Sequence, residues 1–237
     1  MSFKTFMIGL IATFGVPLLL LVVVPHAVLK SVDPLEFTEK DDGREGIYVP
    51  KRPGRIEDGA AVYAAEGCYI CHTQLIRPTF AGSDVWRPDW AGLAPTVDQP
   101  VDTRRETNIF DYRGEDFAQI GLTRTGPDLS NVGLRVDRYA AETGLTPENW
   151  LYWHLWDARA KPATYWSVCP SYPQLFKTVP DYGQAGAGLP LDAPDGKMVV
   201  PSDRGRALVS YLLSLKKNDQ VPYSINYRRN KKRASEQ

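Results

Sequence analysis

The chain has 237 residues, enough for one domain of ordinary size plus attachments. It carries 28 Lys and Arg against 28 Asp and Glu, so the formal net charge is zero and no nucleic acid partner is expected. Its three cysteines do not make a disulfide framework.

The first element is an apolar segment. Residues 8–29, IGLIATFGVPLLLLVVVPHAVL, include no charged residue. As a helix they reach roughly 33 Å, enough to cross a hydrocarbon core of about 30 Å. The alternative is a cleaved signal peptide, but its apolar region would be shorter, and no small-x-small cleavage site closely follows Leu29. The sequence therefore predicts a transmembrane anchor at residues 1–30, with the lipid bilayer as a partner.

A linker and a helix follow the anchor. Residues 31–55 are rich in charge, proline and glycine, which predicts a linker with little regular structure. Residues 56–67 are rich in alanine and begin with acidic residues, which predicts a helix. A glycine in mid-helix costs about 1 kcal/mol, so Gly59 is expected to mark a close contact with another helix.

Two further helices are predicted nearer the C-terminus. One spans Pro147–Asp157 with Thr146 as its N-cap, and the other spans residues 203–217, where apolar residues recur at helical spacing. Residues 78–121 and 177–202 are expected to be irregular, and no alternating pattern is long enough to predict a sheet. Residues 218–237 form a basic tail, expected to be solvated.

The motif EGCYICHTQ at residues 66–74 carries the chemistry. Its Cys-x-x-Cys-His pattern is the attachment signature of a c-type haem. Two thioethers from Cys68 and Cys71 fix the porphyrin edge, and the adjacent His72 is placed to ligate iron through its imidazole. The motif therefore predicts one covalently attached haem c.

Two other chemistries fit this motif less well. A zinc site would need two more ligands, and the remaining choices are Cys169, His26 and His154, of which His26 lies at the membrane border. A redox dithiol of the thioredoxin type would need a βαβ context, whereas the surroundings indicate helix and loop.

The arrangement around the motif resembles a class I cytochrome c. A helix carrying Gly59 and Tyr63 precedes the motif, residues 126–129 match a Gly-Pro-x-Leu element, and an apolar helix ends the domain. In that fold the first and last helices cross at the glycine. The proline carbonyl usually accepts a hydrogen bond from the ligating histidine, so the resemblance implies that Pro127 orients His72.

Several motifs in order sharpen the resemblance to the mono-haem subunit II of cbb-three-type haem–copper cytochrome c oxidases, the FixO/CcoO family. They are EGCYICHTQLIRP (66–78), LTRTGPDL (122–129), HLWDAR (154–159) and SVCPSYP (167–173). The resemblance implies a mainly α fold, with one N-terminal transmembrane helix plus a class I cytochrome c domain at residues 56–217 that carries long loop insertions. It also implies a haem–copper catalytic membrane subunit as partner.

The sequence offers several candidates for the sixth iron ligand. Where the family has a methionine, this chain has Cys169, and a thiolate there would lower the haem potential sharply. Met198 is the alternative ligand. A further possibility is an open position, or one filled by His154, with Cys169 a buried apolar residue. Arg124 and Arg135 lie near the Gly-Pro element and are candidates to hold haem propionates, with a surface arginine as the alternative.

The predicted function is electron transfer within a respiratory complex. The chain would accept electrons from a soluble cytochrome c or another cytochrome c subunit and pass them to the catalytic subunit, with no oxygen-reducing centre of its own. Alternatives are a tethered cytochrome of another complex, such as a nitric oxide reductase, a free-standing shuttle, or a haem-based sensor or thiol-redox enzyme using Cys169. Because bacteria attach c-type haem outside the cytoplasmic membrane, a single-pass inner-membrane protein with a periplasmic haem domain is expected.

Overall fold

A computed structural model gives the fold of the chain as two compact units, residues 1–48 and residues 49–237. The residues that it describes are 2–41, 43–49, 56–98, 100–113, 115, 118–160, 164–181, 189, 191, 193, 196–217 and 221–225. Most of the predicted basic tail lies outside these residues. The regular structure is mainly helical, as predicted.

The first unit contains one long apolar helix, α1 (Phe3–Lys30), which is long and apolar enough to span a membrane. Its 28 residues include an 18-residue window of mean hydropathy 2.7. Two π turns, Ile11–Gly15 and Leu19–Val23, interrupt its α geometry, and each ends shortly before a proline, Pro17 or Pro25. Proline lacks an N–H group and its ring crowds the preceding turn, so a local widening of the helix accommodates it.

The second unit is built from helices and one hairpin. Its helices are α2 (Ile56–Ala65), the single turn α3 (Cys68–Cys71), α4 (Val132–Thr143), α5 (Pro147–Asp157) and α6 (Asp203–Ser214), and its strands are β1 (Phe176–Pro180) and β2 (Lys197–Pro201). Short 3₁₀ turns lie at Asp84–Trp86, Ile109–Tyr112, Pro173–Leu175 and Tyr223–Ile225. The main hydrophobic core draws on α2, α4, α5, α6 and both strands.

Helices α2 and α6 pack against each other through Gly59. A Cβ added at Gly59 would overlap the carbonyl oxygen of Ala207 and the Cβ of Tyr211. The rings of Tyr63 and Tyr211, both fully buried, have centroids 5.6 Å apart. The close helix contact expected at this glycine is therefore confirmed.

Two elements were not expected from the sequence. Helix α4 was not predicted, and β1 and β2 form an antiparallel hairpin in which Phe176 pairs with Pro201 and Pro180 with Lys197. The expectation of an irregular stretch at residues 177–202 was wrong at its two ends. Each strand has five residues, too few to show a persistent alternation, and the strands are held by pairing with each other and by packing of Val199 in the core.

Candidate functional site

The two cysteines of the Cys-x-x-Cys-His motif begin and end one helical turn, and His72 is the first residue after it. Gly67 precedes the turn with φ 73°, a left-handed conformation that suits glycine. The backbone N–H of His72 donates to the carbonyl of Cys68 at 3.0 Å, which closes the turn, and His72 itself is extended. Because residues three apart lie on one helix face, the half-buried side chains of Cys68 and Cys71 are presented together.

The imidazole of His72 is held by Pro127. Its Nδ1 lies 2.7 Å from the Pro127 carbonyl oxygen. A carbonyl can only accept, so Nδ1 carries the proton and Nε2 is left with a lone pair. Burial lowers the pKa of His72, which favours the neutral ring. This is the state in which an imidazole ligates a metal, and the expected hydrogen bond from His72 to the Pro127 carbonyl is present.

A glycine makes room for the same ring. A Cβ added at Gly126 would overlap Cε1 of His72 and lie 2.7 Å from its Nδ1 and 2.8 Å from its Nε2. The Gly126 N–H donates to the carbonyl of Cys71 at 2.9 Å, so the backbone is fixed in this place. Gly126 therefore forms a cradle for the imidazole that any larger residue would fill.

Arg124 is occupied by a buried carboxylate. Its Nη1 lies 2.8 and 2.7 Å from the two carboxylate oxygens of Asp84, and its Nη2 donates to the carbonyl of Leu75 at 2.6 Å. Asp84 has no exposed surface and also receives Nη2 of Arg77 at 2.8 Å. Burial alone would raise the pKa of Asp84, but the hydrogen bonds from Arg77 and Arg124 outweigh it and hold that pKa at about 2. The structure thus gives Arg124 a partner within the protein, which disfavours a propionate contact.

Arg135 keeps an unused donor beside His72. Its side chain is 2% exposed, and its Nη2 donates to the carbonyl of Asp128 at 2.8 Å. Its Nε is buried and has no hydrogen-bond partner among the described residues. Asp128 directly follows Pro127, whose carbonyl binds His72, so the guanidinium of Arg135 is held at the same loop as the imidazole. Arg135 therefore remains a candidate to bind an anionic group.

Cys169 lies beside the motif. Burial raises the pKa of Cys68 to about 12 and that of Cys169 to about 11. Electrostatic repulsion from Cys169 adds to the raised pKa of Cys68, and repulsion from Cys71 adds to that of Cys169. Cys68 and Tyr172, which follows Cys169 by three residues, are both partly buried against the main core. A hydrogen bond also joins the segment after Cys169 to the start of the motif, because Nε2 of Gln174 donates to the Glu66 carboxylate at 2.7 Å.

Met198 lies in the hairpin instead. It is in β2, opposite Val179 of β1. Successive strand residues point to opposite faces, and the neighbouring Val199 is buried in the main core at 1% exposure. Met198 therefore points to the face of the hairpin opposite the core residue Val199.

His154 contributes a second unpaired buried nitrogen. Its ring stacks on Trp150, with centroids 5.1 Å apart and planes 9° from parallel. Its Nδ1 is buried and has no partner within the described part of the chain. Burial lowers the pKa of His154 to about 4.

Five tryptophans fall into two groups by their exposure. Trp150 and Trp153 are buried in the main core, and Trp156 packs edge-on against Phe176. Trp86 and Trp166 are 60% and 70% exposed. Trp166 precedes Cys169 by three residues, so an apolar surface borders the candidate site there.

The donor set of these residues fits a covalently attached haem. Two thiols on one turn match two thioethers, an oriented neutral imidazole matches an axial ligand, and the unpaired atoms of Arg135 and His154 match polar partners for a bound group. Within the described residues, no three His, Cys, Asp or Glu side chains are grouped to hold a metal ion directly. No family model matches this chain, and no curated protein is significantly similar to it.

Proposed function

We propose that the second unit is a class I cytochrome c domain that binds one haem c through Cys68, Cys71 and His72. The observation that carries this proposal is the 2.7 Å hydrogen bond from His72 to Pro127, made by the residue that directly follows a turn bearing two cysteines. When bound, the haem would supply a one-electron redox centre. Cys68 and Cys71 would hold it through their two sulfurs, His72 would bind its iron, and Arg135 would be a candidate partner for a propionate.

The chain is proposed to act at a membrane. Helix α1 is long and apolar enough to serve as an anchor. Bacteria attach c-type haem outside the cytoplasmic membrane, so the haem domain would face the periplasm of a single-pass inner-membrane protein. Its proposed partners are a haem–copper catalytic membrane subunit as electron acceptor, and a soluble cytochrome c or another cytochrome c subunit as donor.

Cys169 is the proposed sixth ligand, with Met198 as the alternative. The support is positional, because Cys169 lies beside the motif whereas Met198 points to the opposite face of β2 from the core residue Val199. A thiolate ligand would give a lower haem potential than a thioether.

The same residue favours a second candidate function. A low-potential haem is poorly matched to an oxygen-reducing acceptor. With Cys169 as ligand, the chain would fit an electron-transfer cytochrome of another respiratory complex, such as a nitric oxide reductase, or a free-standing shuttle. Potentiometric titration of the wild type and of Cys169→Ala separates the two functions, since a clearly negative potential that is lost in the variant favours the second.

Covalent attachment tests the proposal most directly. The full-length chain would be produced in a bacterium with c-type haem maturation and purified in detergent, and haem would be assayed after denaturation. We expect one haem to remain bound to the wild type, and none to remain on a variant with both Cys68→Ser and Cys71→Ser. Cys169→Ser is the matched control and should retain the haem. A wild type without covalent haem would refute the proposal.

A further inference from the structure

One buried carboxylate joins the chain after His72 to the loop that holds the His72 ring. Asp128 is fully buried. Its Oδ2 accepts from Oγ1 of Thr73 at 2.5 Å and from the backbone N–H of Leu75 at 2.9 Å. Its Oδ1 accepts from the backbone N–H of Ser130 at 2.8 Å. The same side chain therefore contacts both segments.

Backbone hydrogen bonds align the two segments on either side of His72. The Gly126 N–H donates to the carbonyl of Cys71 at 2.9 Å, and the Leu129 N–H donates to the carbonyl of Thr73 at 2.7 Å. Between these two bonds lies the contact of the His72 ring with Pro127. The Pro127 carbonyl can therefore keep its distance from Nδ1 only while the two segments stay in register.

Because Asp128 is buried, its hydrogen bonds hold the two segments firmly together. A carboxylate without exposed surface is costly unless several donors satisfy it, and three donors from two segments do so here. Separating the segments would strip donors from this buried group. Its backbone carbonyl is held too, by Nη2 of Arg135 at 2.8 Å. Asp128 is thus fixed at both its side chain and its backbone.

We propose that Asp128 is a positioning residue that fixes the orientation of the His72 imidazole by holding residues 73–75 against residues 127–130. It acts through Pro127 and does not itself bind the haem. That this orientation serves iron ligation rests on the proposed function, whereas the control of the His72 ring by Asp128 does not depend on it.

Histidine labelling makes the test specific, because the chain has only three histidines, His26, His72 and His154. The full-length protein in detergent, labelled with ¹⁵N-histidine and reduced, would be studied by NMR. The exchange rate of the His72 Nδ1 proton with solvent reports the hydrogen bond to Pro127, with or without a haem. The other two histidines serve as internal references.

Three variants separate positioning from stability. Asp128→Ala removes every carboxylate contact and should speed exchange at His72 at least tenfold. Asp128→Asn keeps an oxygen acceptor and should restore part of the protection. Asp111→Asn is the matched control, because Asp111 is also buried and also accepts a backbone N–H, that of Asn108 at 2.9 Å, and its ion pairs are with Arg105 and Lys217. It should leave exchange at His72 unchanged.

The outcomes separate this proposal from the function. Unchanged exchange in Asp128→Ala, or equal acceleration in Asp111→Asn, would overturn the positioning role. If Asp128→Ala does not fold, Asp128→Asn decides: exchange faster than in the wild type supports the positioning role, and wild-type exchange in that variant would overturn it. A wild type that carries no haem would refute the proposed function while the exchange rates still decide the role of Asp128. With haem bound, the electron-paramagnetic spectrum of oxidised Asp128→Ala should become heterogeneous, because the axial ring is no longer held in one orientation.

Discussion

Substituting Gly126 by alanine perturbs the candidate site at its most crowded point. The added methyl would lie 2.7 Å from Nδ1 and 2.8 Å from Nε2 of His72, well below the ordinary contact distance of 3.4–4 Å. The backbone of Gly126 cannot easily retreat, because its N–H is bonded to the carbonyl of Cys71. The ring must therefore turn, and in turning it loses its bond to Pro127.

The expected loss of stability follows from two contributions. Overpacking costs about 1–3 kcal/mol. The lost hydrogen bond adds about 1 kcal/mol, so the free energy of unfolding should fall by about 2–4 kcal/mol. At about 2–4 °C per kcal/mol for a domain of this size, the melting temperature should fall by roughly 10 °C.

Denaturation of the full-length chain, followed by tryptophan fluorescence, measures this loss, and ¹⁵N-histidine NMR measures the ring. The matched control is Gly133→Ala, whose methyl would collide with the carbonyl of Leu213 where α4 meets α6. It should destabilise the chain by a similar amount but leave the His72 signal in place. If Gly126→Ala has wild-type stability and a wild-type His72 signal, the inferred cradle does not exist.

Three other predictions concern single residues. Gly59→Ala should lower the free energy of unfolding by about 2 kcal/mol, because its methyl would overlap α6. Helix propensity alone would instead stabilise it by about 1 kcal/mol, and the exposed Ala61→Gly in the same helix measures that contribution. Asp84, whose pKa lies at about 2 and thus below its ordinary value of 3.8, contributes stability above pH 4 that is lost as the pH falls toward 2. Asp84→Asn should therefore be less stable at pH 7, and acid titration of its unfolding free energy should show a shallower fall in that window; equal slopes would contradict this. Thr146→Ala should cost about 1 kcal/mol in urea denaturation, because Thr146 Oγ1 accepts from the Asn149 N–H at 3.2 Å.

Local patterns in the sequence identified the elements that depend on local physics. The Thr146 cap and the helix Pro147–Asp157 are present as predicted, because capping and helical spacing are properties of neighbouring residues. The contact at Gly59 was expected because a glycine in mid-helix needs a compensating reason. The pairing of the candidate ligand His72 with the Pro127 carbonyl was implied by a resemblance, and the two groups are at hydrogen-bond distance.

Long-range pairings were beyond such patterns. Arg124 and Asp84 are 40 residues apart, and the sequence around either residue does not predict that the Arg124 guanidinium binds this buried carboxylate. The strands β1 and β2 are short and separated by 16 residues, so neither is recognisable before its partner is known. Helix α4 buries Val132, Val136 and Ala140 at four-residue spacing. This helical pattern is present in the sequence, but the charged residues between them make it hard to recognise.

The supports of the Cys-x-x-Cys-His turn come from late in the chain, and this has a consequence for the order of folding. His72 meets Pro127 after a separation of 55 residues, Glu66 meets Gln174 after 108, and Gln74 meets Tyr211 after 137. Contacts at such separations close slowly, because the entropy of the intervening loop opposes them. A chain synthesised from its N-terminus therefore carries both motif thiols in an open segment until α6 has been made. The thiols are accessible to chemistry early, and the closing fold shields them afterwards.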